Sequence, residues 1–224
     1  MSEQWIDQEF AGLDHGDARL NRRTKNLVER LSGKPAASIP EACDSWSETC
    51  AVYRFLRNPE VTWDVIWAPR WASTQHRMRK YSVVLCIQDA TELDFNGQDI
   101  EGSGAVNYEA RKGMYLHPTY AVSREREARG ADGVRGGQRE STRWGEGYER
   151  QAEMAVDMPH TRLVYVADRE ADMVVLMRRS NGLGTPVDWL VRACHDRCLS
   201  ENEGVKLWAD RFAYKTMARP KQPR

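Results

Sequence analysis

Two short apolar runs in this sequence end on aspartate. Residues 82–88 (SVVLCIQ) lead into Asp89, and residues 163–167 (LVYVA) lead into Asp168. Runs of this length, rich in branched aliphatics, predict strands buried on both faces of a sheet. If the two strands are parallel neighbours, both carboxylates reach the same sheet edge. Open α/β sheets bind their ligands outside that edge. Two carboxylates held together repel, so one takes a proton or both share a cation. Hard divalent ions such as Mg2+ favour such oxygen ligands. A paired-metal site could activate water and stabilise the leaving oxygen of a phosphodiester. The plainer alternative for Asp168 is a helix cap, because a predicted helix follows it directly.

Other reactive residue types are less organised. Cys194-His195-x2-Cys198 looks like half a zinc site, but zinc needs four ligands and Cys43, Cys50 and Cys86 are distant. Free thiols near a strand end are the expectation. His117, ahead of Pro118, is expected to be a strand-end hydrogen bonder. Trp46, Trp63, Trp67 and Trp71 crowd the first third of the chain and are expected in core or packing surfaces. Arg19, Arg22, Arg23, Lys25 and Arg30 fall on one predicted helix, and Arg70, Arg77, Arg79 and Lys80 form a basic segment without an acid. Arginines on a helix can fork onto phosphates or guanine edges; a solvated helix face is the alternative.

The elements that must position these groups change character near residue 80. Before it, Asp17 is placed to cap a helix running to about Leu31, stopped by Gly33. A second helix is predicted over residues 44–57, ended by Asn58-Pro59, and a third from about Thr62. After residue 80, strands are predicted at 82–88, 114–122, 163–167 and 189–193, with helices at 144–156 and 172–179. Residues 130–137 read as a glycine-rich loop and 211–224 as a basic, frayed tail. The fold class expected is α/β: an all-α unit over 1–80, then a partly parallel sheet with helices over 81–210.

Composition sets outer limits. The chain has 224 residues, with 33 Lys+Arg against 33 Asp+Glu and a net charge of zero. That excludes binding to nucleic acid by bulk charge, while leaving room for local basic clusters. The hydrophobic share of 41% and the charged share of 29% fit a folded domain. The polar opening MSEQWIDQEF is unlike a signal peptide, and the longest strongly apolar run, 83–87, is far short of a membrane span. Five scattered cysteines suggest free thiols in a reducing cytoplasm.

Asp168-Arg169-Glu170-Ala171-Asp172 after an apolar strand resembles the second catalytic block of bacterial insertion-sequence DDE transposases, in the group of the transposon-five transposase. Other blocks agree in order. Gly16-Asp17-Ala18-Arg19 with Asn21-Arg22-Arg23 is similar to the start of that family's DNA-binding helix. Tyr53-Arg54-Phe55-Leu56-Arg57-Asn58-Pro59 is similar to its next helix end, Gln88-Asp89-Ala90-Thr91 to its first acidic block, and Glu140-Ser141-Thr142-Arg143-Trp144 to the segment before the second. The resemblance runs from about Phe10 to Trp208. It implies a helical domain that binds transposon-end DNA, followed by an RNase H-like core holding Mg2+ or Mn2+. On it, Asp89 and Asp168 are catalytic metal ligands, and Arg19, Arg23, Arg54 and Arg192 are DNA contacts. It also implies a bacterial, cytoplasmic protein that joins the nucleoid when DNA-bound.

Two departures from the family qualify this. The family's third carboxylate sits in a helix written Tyr-x2-Arg-x3-Glu-x6-Lys, and nothing here fits: Tyr214 is followed three residues later by Met217. Glu92, Glu109 and Glu170 are the candidate substitutes. The segment from Ala128 to Asp132 also bridges where relatives carry a further strand, so the 114–122 strand is expected to become a sheet edge. The expectation is a truncated, catalytically impaired transposase that retains DNA binding, with a full-length transposase as a further partner. The alternatives are a DNA-end-binding inhibitor of such a transposase, or a non-functional remnant.

Overall fold

The computed structural model describes residues 4–95, 98, 100, 103–105, 112–123, 128–132, 140–198 and 206–207. The segment 133–137, Glu109, Trp208 and the 211–224 tail lie outside them.

The first part is helical. Helix α1 (Gln4–Glu9) packs on α2 (Ala18–Gly33) and α5 (Trp63–Met78), while α3 (Ile39–Ala42) and α4 (Trp46–Leu56) pack on α2 and on each other. Ile6, Phe10 and Leu13 form the buried centre, against Val28, Val65 and Ile66. The predicted starts hold. Gly16 takes φ +75°, a left-handed turn that favours glycine. Asp17 then caps α2, its carboxylate accepting from the Arg19 N–H at 2.7 Å. Ser45 and Thr62 cap α4 and α5 in the same way.

The sequence missed α1, and with it an acid. Glu9 accepts from Arg77 and lies 3.6 Å from Arg70, so two of the four cations of the expected acid-free segment share one acid. The partner is 68 residues away from Arg77 and invisible to local pattern. Helix α5 also joins the two parts: Val65 and Ile66 serve the helical centre, while Met78, 1% exposed, belongs to the sheet core.

The second part holds a five-stranded mixed sheet and a small three-stranded one. The large sheet has the order β6-β5-β1-β7-β8, where β1 is Val83–Gln88, β5 Thr119–Ser123, β6 Ala128–Asp132, β7 Arg162–Ala167 and β8 Asp188–Val191. β1, β7 and β8 run parallel, and β5 and β6 are antiparallel additions. The small sheet pairs β2 (Thr91–Asp94) and β3 (Gly104–Ala105) with β4 (Lys112–Leu116). Helices α6 (Glu140–Val156) and α7 (Val174–Gly182) connect β6 to β7 and β7 to β8.

Three expectations fail here. The single strand over 114–122 is two strands in different sheets, parted at His117-Pro118. Proline offers no N–H to a ladder, so the chain changes sheets at that point. Residues 128–132 are a strand rather than loop, and they pair with β5, so β5 is not an edge. The 82–88 strand is buried fully on one face only: Val84, Cys86 and Gln88 are buried, whereas Leu85 and Ile87 are half-buried and Val83 is exposed.

The core on the buried face combines packing with buried polar contacts. Tyr165 and Tyr148 meet edge to face at 5.8 Å. The Tyr165 hydroxyl is within 3.1 Å of both Gln88 Oε1 and the Trp144 carbonyl, while the Tyr148 hydroxyl donates to the Val187 carbonyl at 2.8 Å. Burial pushes both phenols up from their ordinary pKa, keeping them protonated as donors. Gly147 lets α6 approach β1: a Cβ there would fall on the Gln88 carboxamide.

Candidate nucleic-acid interface and acidic sheet edge

The helical part sorts its cations into two groups. From Lys25 onward in α2 they are consumed by structure: Arg30 pairs with Asp44 at 2.6 Å and Glu48 at 2.7 Å, and Lys25 with Asp7 at 2.7 Å. The hydrogen bond that Arg30 donates to Asp44 raises the Arg30 pKa further. Before Lys25 the cations are exposed. Arg19 has a side chain 93% exposed, and its only acidic contact among the described residues is Asp17 at 4.0 Å. Arg22 and Arg23 are also exposed. Cations near a helix N-terminus oppose the helix dipole, at about 0.3–1 kcal/mol each. Stability therefore does not account for placing three there.

Arg19 and Arg23 stand four apart on one face of α2. Arg23 Nη1 donates to the Ala51 carbonyl of α4 at 3.2 Å, and Arg54 lies one turn beyond Ala51. Arg54 Nε donates to the Cys50 carbonyl at 3.3 Å, leaving its remaining N–H groups for other acceptors. The fold thus brings Arg19, Arg23 and Arg54 to one helix–helix junction. Asn21, in the same motif, is structural: its Oδ1 accepts from the His15 N–H at 2.8 Å. His15 in turn meets Thr24 Oγ1 at 2.8 Å and Phe55 edge-on at 6.0 Å.

The outer side of α4 departs from expectation. Trp46 is 74% exposed, in line with Tyr53 and Leu56, which are also exposed, and Trp63 stacks on Trp67 at 4.8 Å with half of its surface open. Trp46 and Trp63 are therefore exposed rather than core, whereas Trp67 is half-buried and Trp71 packs against the sheet core as expected. Trp46 is the first residue of α4, one turn ahead of the buried stripe formed by Thr49, Val52 and Phe55, and so lies at the open end of the helix.

At the sheet, register settles where the aspartates stand. The parallel pairing of β1 with β7 includes Ile87↔Val166, and two steps further lie Asp89 and Asp168. The pairing of β7 with β8 includes Ala167↔Val191, and one step further lie Asp168 and Arg192. The Arg192 N–H donates to the Ala167 carbonyl at 3.2 Å, extending the ladder. Asp89, Asp168 and Arg192 therefore form one row along the carboxyl edge. Asp89 Oδ1 accepts from the Ala90 N–H at 2.9 Å, and the Asp89 N–H meets the Pro118 carbonyl at 3.3 Å. Asp168 does act as a cap, its Oδ1 accepting from the Glu170 N–H at 2.8 Å. Among the described residues neither Oδ2 takes a hydrogen bond, and Arg192 is exposed beside them.

Among the described residues no group of three His, Cys, Asp or Glu side chains is placed to hold a metal. Glu92 is half-buried on β2, Glu170 is exposed, and Cys194 and Cys198 are free, exposed thiols. His117 was expected to hydrogen-bond, yet neither ring nitrogen has a partner among the described residues. It is packed edge-on to Trp144 at 5.4 Å, and burial, with Arg143 and Arg150 nearby, lowers its pKa and keeps it neutral.

Asp172 was read as the start of a helix. It is instead a buried junction, 3% exposed, between a 3-10 turn (Arg169–Ala171) and α7. Its carboxylate accepts from the N–H groups of Cys194 and His195 and pairs with Arg197. Burial alone would raise its pKa, but these donors outweigh burial and lower it.

Residues 2–61 match the family model for transposase DNA-binding. Among solved structures, the chain aligns with a Mos1 transposase paired-end complex with left transposon end at 11% identity and a TM-score of 0.29. That alignment covers 75% of this chain and 57% of the other. The Mos1 strand transfer complex aligns at 10% identity with a TM-score of 0.28, covering 75% and 56%. The chain thus spans less than two thirds of the length of these solved chains.

Proposed function

We propose that this chain is a transposase-type protein whose helical part binds transposon-end duplex DNA. The observation that carries this is the coincidence of two features in residues 2–61. The segment matches a transposase DNA-binding model, and it gathers the exposed cations Arg19, Arg23 and Arg54 at one junction. Phosphate contacts by such arginines position a protein on DNA, and forked contacts to guanine edges read sequence.

The second part is proposed to be an RNase H-like core of the insertion-sequence DDE type. The support is a mixed sheet that puts Asp89 and Asp168 on one edge. Their donor set fits a hard cation: Mg2+ is commonly held by one or two carboxylates together with substrate phosphates and water. Bound there, Mg2+ or Mn2+ would polarise a phosphodiester and lower the pKa of water. Arg192, in the same row, would orient the phosphate by charge. Two carboxylates alone supply few ligands for a paired-metal site, so strand cutting by these residues is expected to be weak.

Selection from a pool of random-sequence duplexes tests the DNA reading. Enrichment of one terminal-repeat-like sequence is expected. A pool unchanged after several rounds would contradict sequence-specific end binding.

A further inference from the structure

The Arg192 side chain reaches solvent, but its backbone is held from two directions. On one side its N–H extends the β7–β8 ladder to the Ala167 carbonyl at 3.2 Å. On the other, the N–H groups of Cys194 and His195 both donate to Asp172 Oδ2, at 2.6 and 2.9 Å. Arg197 closes the arrangement, bonding Asp172 Oδ1 and, at 2.6 Å, the Asp172 carbonyl. The stretch that carries Asp168 therefore ends, four residues later, in the anchor of the stretch that carries Arg192.

We propose that Asp172 is a positioning residue that fixes Arg192 beside the Asp89–Asp168 edge, so that a DNA phosphate meets the guanidinium next to the two carboxylates. This rests on the DNA-binding reading above. A carboxylate suits the task because both of its oxygens accept: one takes two backbone N–H groups and the other takes Arg197. Asparagine accepts on one oxygen only, so it must release either the amides or the arginine.

The test uses the full chain as wild type, Asp172→Asn, Arg192→Ala and the double variant. Each is titrated with a fluorescein-labelled random-sequence duplex over a salt series. Amide hydrogen exchange at Cys194 and His195 is followed in the same proteins. Arg192→Ala should lose about one unit of the log affinity–log salt slope, the mark of one phosphate contact. Asp172→Asn should lose much of the same slope and exchange faster at both amides. The double variant should bind like Arg192→Ala, because residues acting through one another are not additive. Additive losses would overturn the positioning role and leave the DNA reading standing. An Arg192→Ala protein with the full slope would overturn the inference at its other end. A wild type with no salt-dependent binding would overturn the reading beneath it. If Asp172→Asn fails to fold, Arg197→Gln replaces it, keeping the carboxylate but removing its brace. A partial slope loss is then expected, and an unchanged slope would overturn the proposal.

Discussion

Asp89 and Asp168 stand at the same step of two adjacent parallel strands, two residues past the Ile87↔Val166 pair. Neighbouring strands lie about 4.8 Å apart, so the two carboxylates share one environment at the sheet edge. What each contributes depends on the oxygen that its own backbone bond leaves free.

A first prediction concerns cation binding. Asn replaces Asp as a helix cap with little loss, so Asp168→Asn should fold normally while losing its charge. Water-proton relaxation with Mn2+ should show weak binding by the wild type. Asp89→Asn and Asp168→Asn should each weaken it at least tenfold, since the cation loses one of two carboxylates. Equal Mn2+ binding by all three proteins would place the ion elsewhere.

Two glycines in α6 make a matched pair. A Cβ at Gly147 meets Gln88, whereas a Cβ at Gly145 meets nothing within 4 Å. Gly147→Ala should destabilise by about 1–3 kcal/mol through overpacking. Gly145→Ala should stabilise by about 0.5–1 kcal/mol through helix propensity. Urea denaturation of the two variants reads the sign directly; the same sign for both would contradict the packing of α6 on β1.

These relationships were unequally legible in the sequence. Asp17 and Thr62 announce helix starts because capping is local, whereas the Ser45 cap and the Gly16 turn were not read from the sequence. The aspartate row was legible because two apolar runs end alike and parallel pairing then needs only a matching register. The division at His117-Pro118 was missed because residues 114–122 read as one strand, and only the sheet partners show that two sheets divide it. Asp172 was hidden inside an apparent helix, since its partners Cys194, His195 and Arg197 lie more than twenty residues on. Glu9 was hidden by its distance from Arg77. Trp46 misled because aromatic type predicts burial on average, while it is the first residue of α4 and lies ahead of the buried stripe that starts at Thr49.

Acid titration probes Asp172. Its folded pKa lies below the ordinary carboxylate value of about 3.9. Its contribution is therefore full above that value and is lost as pH falls through the lower folded pKa. At about pH 7, Asp172→Asn should be less stable than wild type by about 2 kcal/mol, from lost charge-assisted hydrogen bonds. The gap should close as pH falls below about 4. A gap independent of pH would show that the carboxylate charge is not what stabilises the junction.

The most direct test of the central claim is the salt dependence of DNA affinity for the full chain beside the triple variant Arg19→Ala/Arg23→Ala/Arg54→Ala. If the helical junction is the DNA interface, the slope of log affinity against log salt should fall by about three units, roughly one for each phosphate contact. Circular dichroism should still show the helical fold, since the one inter-helix bond removed, from Arg23 to the Ala51 carbonyl, contributes only about 1 kcal/mol. A triple variant with the wild-type slope would contradict the account, because the duplex would then be held somewhere other than the α2–α4 junction.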